Sequence, residues 1–265
     1  MAGNVHELQG GRRTSTLFMQ DEWVPERYYH VIGKAITGRT LFETDEDHIW
    51  FLKHIVRFKM YTCFEILAYC LCGNHFHLAI RTRSARDIRE ELVKRPTKSY
   101  TPKDHAFLAG QLDYGEYVYQ SFGGCLSGFA RRTNRQQGLS GQVLIKPTLH
   151  GLTTKGEPGV EASRSLIAYV SYNYAKHHLA PATEKYPYSS LHNAQFNIID
   201  QRRLIEVFGE DASYKSYMLA YLKRYAKAFY NFDEDEFFSA LTPRYLDRSL
   251  NRWKAGEWRP KLNLY

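Results

Sequence analysis

Between Cys63 and Thr82 the chain carries two apolar, strand-like runs separated by a single dipeptide, Gly73-Asn74. A link of two residues leaves room only for a tight hairpin, so Cys63 to Cys72 and His75 to Thr82 must be antiparallel neighbours. Upstream, Tyr28-Tyr29-His30-Val31-Ile32-Gly33-Lys34-Ala35-Ile36 is aromatic and β-branched up to a Thr-Gly turn and reads as a first strand. Thr44 then offers a helix N-cap with Asp45, Glu46 and Asp47 in the first turn, and Ile49, Leu52, Val56 and Met60 follow at helical spacing to about Tyr61. After Arg83 the pattern weakens, and residues 94–116, with two prolines and scattered charges, read as an inserted excursion. A helix over about 117–137 and a fourth strand from Gln142 to Thr148 complete the order strand, helix, strand, strand, helix, strand. That order predicts an α+β, ferredoxin-like antiparallel sheet with helices on one face.

The remainder divides into a polar leader over 1–26, a domain over 27–180 and a basic, mostly helical extension over 181–265. Within the domain, Ser163 caps a helix over 164–178 that packs through Leu166, Ile167, Val170 and Tyr174. A hydrophobic content of 43% supports a core and excludes a disordered chain. The net charge of +8 favours a polyanionic partner, most simply nucleic acid. The 20 Tyr, 15 Phe and 4 Trp offer faces for stacking on unpaired bases, although most rings in a chain of this size serve the core. Cys63, Cys70, Cys72 and Cys125 form no CxxC pair and read as reduced, buried small hydrophobes. No apolar run approaches the length of a membrane span and Met1 to Arg13 lack a hydrophobic signal core. The expectation is a soluble, cytoplasmic, nucleoid-associated protein.

Strand parity puts His75 and His77 on one face, where they can present two nitrogens to one metal ion, while Phe76 points into the helical layer. Two surface or hydrogen-bonded histidines would give the same pattern. Tyr169 and Asn173 stand four apart on the 164–178 helix, and Lys176 shares their face. A phenol, with an ordinary pKa near 10, attacks a phosphate only with help from a divalent cation that neutralises charge in the transition state. Asn173 could complete a His, His, amide site suited to Mg²⁺ or Mn²⁺, and Lys176 could hold the phosphate or protonate the leaving oxygen. Tyr169 could equally be one of many tyrosines packing a helix. Tyr172 competes locally, but lies about 60° around the helix and points away from Asn173.

The blocks Tyr29-His30-Val31, Leu41-Phe42-Glu43, Asn74-His75-Phe76-His77-Leu78, Ser140-Gly141-Gln142-Val143, Ala168-Tyr169-Val170-Ser171-Tyr172-Asn173 and Tyr186-Pro187-Tyr188-Ser189-Ser190 occur in one order. In that order and spacing the sequence resembles the REP-associated tyrosine transposases, of the insertion-sequence-200-like branch of the HUH single-tyrosine nucleases. The resemblance runs from roughly residue 28 to 190. It implies that His75, His77 and Asn173 are metal ligands for Mg²⁺ or Mn²⁺ and that Tyr169 is the nucleophile. The implied activity is cleavage and rejoining of single-stranded hairpin DNA through a 5′-phosphotyrosine intermediate. Tyr174 and Gly73 stand where the family commonly has proline, and the 94–116 excursion is longer than the family's.

A monomer with the site assembled in cis is expected in preference to a homodimer. Two other readings stay open: a domesticated, non-catalytic hairpin-binding or regulatory protein, and a ferredoxin-like RNA-binding module. Towards the C-terminus, Tyr214, Tyr217, Tyr221 and Tyr225 recur at three- and four-residue spacing among Lys215, Lys223, Arg224 and Lys227. That helix, with Arg244, Arg248, Arg252, Lys254 and Arg259, could clasp hairpin phosphates, or its tyrosines could pack on the core.

Overall fold

The computed structural model describes residues 23–60, 63–145, 148–151, 160–180, 185–192, 198–209, 214, 216–218 and 220–221. Four strands, β1 (Tyr28–Lys34), β2 (Phe64–Cys72), β3 (His75–Thr82) and β4 (Thr148–Gly151), form one sheet in the order β2-β3-β1-β4. All three neighbouring pairs are antiparallel, which is the ferredoxin-like order expected from the sequence. The hairpin closes with Cys72 opposite His75, leaving Gly73-Asn74 as the turn. Its carbonyls are not left bare. Gly73 O accepts from Leu41 and Phe42 N–H, and Asn74 O from Ala35 N–H, at 2.8–2.9 Å.

Strand alternation sorts the residues of β3 cleanly. Phe76, Leu78 and Ile80 join Tyr29, Val31, Phe64, Ile66, Tyr69 and Leu71 in a core against α1 (Asp45–Met60) and the long helix Tyr114–Gln136. Phe51 of α1 lies 4.9 Å from Phe76 between ring centroids, so the phenylalanine between the two histidines anchors the helical layer, as parity requires. The Phe76 ring lies over Gly33, its direct partner on β1, and a Cβ there would overlap the ring. Glycine is thus required for close packing rather than for its dihedral freedom.

The other face of the sheet is also covered. Leu67, Ala68 and Ala79 pack under Leu166, Ile167 and Val170 of the helix Val160–Ser171, with Leu204, Val207 and Phe208 of the helix Gln201–Phe208 behind them. The ferredoxin pair of helices therefore sits on one side, and the tyrosine-bearing helix closes the opposite one. The sheet is tied to the helix Gln201–Phe208 through Glu65, buried at 7% exposure, whose carboxylate pairs with Arg81 at 3.0 Å and Arg203 at 2.9 Å.

Several boundaries differ from expectation. Trp23, read as part of the polar leader, is only 3% exposed and packs on Tyr29, Phe64 and Phe122 at 5.0–5.5 Å; a lone indole in a polar stretch carries no periodicity. The helix Ala85–Val93, capped by Ser84 and buried through Ile88 and Leu92, forms after Arg83, where no element was expected. The 94–116 excursion holds the helix Pro102–Leu108, closed by a Thr101/Asp104 capping box, and its Phe107 stacks on Tyr117 at 4.2 Å in the main core. Helices this short announce themselves by caps more than by period. The fourth strand lies at Thr148–Gly151, overlapping the expected 142–148 run at Thr148, with Leu144 bridging to Ala35 ahead of it.

Candidate functional site

His75 and His77 of β3 emerge on the face covered by the helix Val160–Ser171, and His30 of β1 joins them there. The ring of His77 is 4% exposed and stacks on His30 with centroids 5.1 Å apart; its Nδ1 lies 2.9 Å from His30 Nε2. His75 donates from Nδ1 to Asn74 Oδ1 at 2.8 Å, which turns its Nε2 toward His177 Nε2 at 3.0 Å. One nitrogen each from His75, His77 and His177 falls within 4.8 Å of the others. Burial, then the neighbouring imidazoles of His30, His75 and His177 and the Lys176 ammonium, hold His77 down to about 2. Burial, then His75 and Lys176, hold His177 down to about 4. Both rings are therefore neutral at physiological pH, the form that binds metals.

These residues fit a divalent cation. His77 Nε2 is buried without a hydrogen-bond partner, an arrangement that normally costs free energy unless a ligand completes it. Nitrogens bound at about 2.0–2.1 Å to one cation stand roughly 3 Å apart, close to the His75–His177 spacing. The Nδ1 atoms of His75 and His77 are both engaged, which is how metal-binding imidazoles are usually oriented.

Tyr169 faces the same cluster. Its ring meets His30 edge-on at 5.4 Å and His77 at 6.3 Å, within one chain. Lys176 donates from Nζ to the Tyr169 hydroxyl oxygen at 2.9 Å, with the ammonium 4.9 Å from the ring centroid. Tyr172, the local competitor, is 1% exposed and buried in a cluster with Cys70, Cys72 and Tyr174, against which Tyr169, only partly buried, also packs.

The helix expected over 164–178 is broken. It stops at Ser171 and resumes as Asn173–Lys176 after Tyr172, whose φ and ψ are −99° and 9°. Ser189 Oγ donates to the freed Ser171 carbonyl at 2.6 Å, and the Tyr174 backbone turns to the Cys70 thiol. The segment Tyr186–Ser190 thus does two things. It caps this break, and it lies along the outer edge of β2 through Leu71 N–H to Tyr188 O and Ser190 N–H to Tyr69 O, both 2.9 Å. Because of the break, the four-residue spacing of Tyr169 and Asn173 no longer describes one continuous face. Asn173 is fully buried, and neither its amide oxygen nor its nitrogen has a hydrogen-bond partner.

Two members of the cluster, His30 and His177, are not singled out by their sequence positions. His30 has the strand parity of a residue diagonal to His77, and His177 follows Asn173 by four. Either could be found once the strand pairing and helix course are known. In the C-terminal region, Tyr217 bonds Ser165 Oγ at 2.7 Å, Tyr214 packs edge-on to Phe208 at 4.8 Å, and Tyr221 is 8% exposed, so these three rings pack on the domain. Tyr225 and the basic residues from Lys223 onward lie outside the described residues, as does Lys215.

No family model matches the sequence, and no curated protein does. A solved structure of a REP-associated tyrosine transposase bound to a REP hairpin aligns over 65% of this chain and 81% of that one, at 13% identity and a TM-score of 0.37. A likeness of that degree carries no argument about chemistry, which rests on the geometry of the cluster itself. Among the described residues no helix is long and apolar enough to cross a membrane.

Proposed function

We propose that this protein is a metal-dependent nuclease and strand-transferase that cleaves and rejoins single-stranded hairpin DNA, with Tyr169 as nucleophile. The observation that carries the reading is the meeting, in one chain, of the Tyr169 phenol with the imidazole cluster and Lys176. His75, His77 and His177 would hold the cation, and the partnerless amide of Asn173 is the remaining donor. A nitrogen-rich set of this kind favours Mn²⁺ over Mg²⁺, which prefers oxygen ligands. Once bound, the cation would polarise the scissile phosphate and neutralise charge developing on it.

The chain's own groups supply the rest. The Tyr169 oxygen forms a bond to phosphorus as the bond from phosphorus to the 3′ oxygen breaks, giving a 5′-phosphotyrosine and a free 3′ hydroxyl. The phenolic proton passes to solvent, and the departing 3′ oxygen takes one up. The ammonium of Lys176 sits beside the Tyr169 oxygen, where it favours the phenolate that attacks. Rejoining is the reverse attack by a 3′ hydroxyl, so no ATP is consumed. The approach of Tyr169 to His77 within one chain, 6.3 Å between ring centroids, is compatible with a site assembled in cis.

Incubation of end-labelled hairpin DNA with the protein and Mn²⁺, followed by a denaturing gel, tests this. A covalent band that disappears in Tyr169→Phe while native-gel binding persists is the expected result. A covalent band that survives in Tyr169→Phe refutes the assignment of the nucleophile. A native-gel shift with no covalent band under any metal returns the protein to the class of non-catalytic hairpin binders.

A further inference from the structure

We infer that His30 is a positioning residue: it fixes the tautomer and ring orientation that present His77 Nε2 to the metal, and it braces Tyr169 against the same ring. This rests on the metal site proposed for His75, His77 and His177 and goes beyond it, because His30 is no ligand there. His30 Nε2 and His77 Nδ1 are 2.9 Å apart, so one nitrogen must donate and the other accept. If His30 donated, the proton of His77 would sit on Nε2. That atom is buried and has no acceptor, and buried N–H groups without partners are rare because they are costly. If His77 donates from Nδ1, its Nε2 carries a lone pair instead, the only form in which that atom can bind a cation. Hydrogen bonding and ligation thus select the same tautomer.

The arrangement has a parallel in the adjacent ligand. His75 is held through Nδ1 by Asn74 Oδ1 at 2.8 Å, leaving its Nε2 for the cluster. Asn74 comes from the hairpin turn and needs no tertiary partner. His77 lies further along β3, where the turn cannot reach, and its partner comes from the neighbouring strand. On β1, His77 stands opposite Ile32, so His30 reaches it on the diagonal, a separation that long or aromatic side chains span. The same His30 ring receives Tyr169 edge-on at 5.4 Å, against 6.3 Å from Tyr169 to His77. A single imidazole therefore touches both the metal-binding ring and the phenol.

The test uses the full chain and two readouts other than activity: the tautomer of His77 from long-range proton–nitrogen correlation in the metal-free protein, and Mn²⁺ affinity from electron paramagnetic resonance titration. In wild type His77 carries its proton on Nδ1. His30→Phe keeps a stacked ring but removes the acceptor, and should release that tautomer and weaken Mn²⁺ binding by about 10- to 100-fold. His30→Gln offers an oxygen acceptor and should restore both. Unchanged tautomer and affinity in His30→Phe, or loss in His30→Gln equal to that in His30→Phe, would overturn the positioning role. The metal reading is judged separately by His77→Ala. If that variant binds Mn²⁺ as wild type does, the cation site itself is refuted, whereas His77→Ala failing while His30→Phe binds normally refutes His30 alone.

Discussion

The neutral, buried state of His77 makes a quantitative demand on stability. The folded protein holds this imidazole down to about 2, mainly through burial, while in the unfolded chain it returns to about 6.5. Below pH 6.5 the unfolded chain therefore takes up a proton that the folded one refuses, and stability falls as pH falls, across the window from about 6.5 to about 2. From this one group the loss is about 1.4 kcal/mol at pH 5.5 and about 2.7 kcal/mol at pH 4.5. Urea unfolding of the metal-free protein at pH 7.5, 5.5 and 4.5 measures it, with His77→Leu as the reference. Burial also lowers His48, His54 and His192, so the wild type carries a further acid-side slope, but that part is common to both proteins. The difference between the two curves isolates His77 and the repulsion it exchanges with His30, His75 and His177, which acts in the same direction. Parallel curves, differing by less than about 0.3 kcal/mol between pH 7.5 and 5.5, would refute the claim that His77 is buried neutral in the folded state.

Two further perturbations probe the frame and the chemistry. Glu65→Gln strips the carboxylate from between Arg81 and Arg203 and should cost about 3 kcal/mol in urea unfolding, since it leaves Arg81 largely buried and only weakly compensated by the exposed Glu26. Lys176→Met removes the cation beside the Tyr169 oxygen and should slow formation of the covalent DNA adduct by about 100-fold in single-turnover assays, with hairpin affinity nearly unchanged.

The sheet is legible in the sequence because its signals are local. Alternation in β3, the Gly73-Asn74 turn and the capped helix starting at Asp45 each follow from a few adjacent residues. The two short helices Ala85–Val93 and Pro102–Leu108 each bury only two positions, Ile88 and Leu92 in the first and Asp104 and Phe107 in the second, so each offers a single apolar pair or less for periodicity to work on, beside the caps at Ser84 and Thr101. The site is legible to the extent that its members lie close in the chain: His75 with His77 on one strand, Tyr169 and Lys176 seven residues apart on either side of the break at Tyr172. What lies beyond reach are side chains brought in by pairing. His30 is 47 residues from His77, and its role depends on the register of β1 against β3. His177 depends on the break at Tyr172, and that break is held by Ser189 and Cys70, two residues remote from the helix they interrupt.

The same register that builds the core also builds the site, so the two cannot vary independently. A one-residue slip of β3 against β1 would turn Phe76 toward the tyrosine helix and send His75 and His77 into the apolar layer. Gly33 opposes such a slip on one face, because the Phe76 ring occupies the space that a Cβ on its partner residue would fill. The hydrogen bond between His30 and His77 opposes it on the other. Asn74 adds a third constraint, because the residue that shapes the hairpin turn also orients His75. An alteration that loosens the turn should therefore disturb the imidazole cluster before it disturbs global stability, since the core retains its apolar burial while the hydrogen-bonded tautomers lose their geometry.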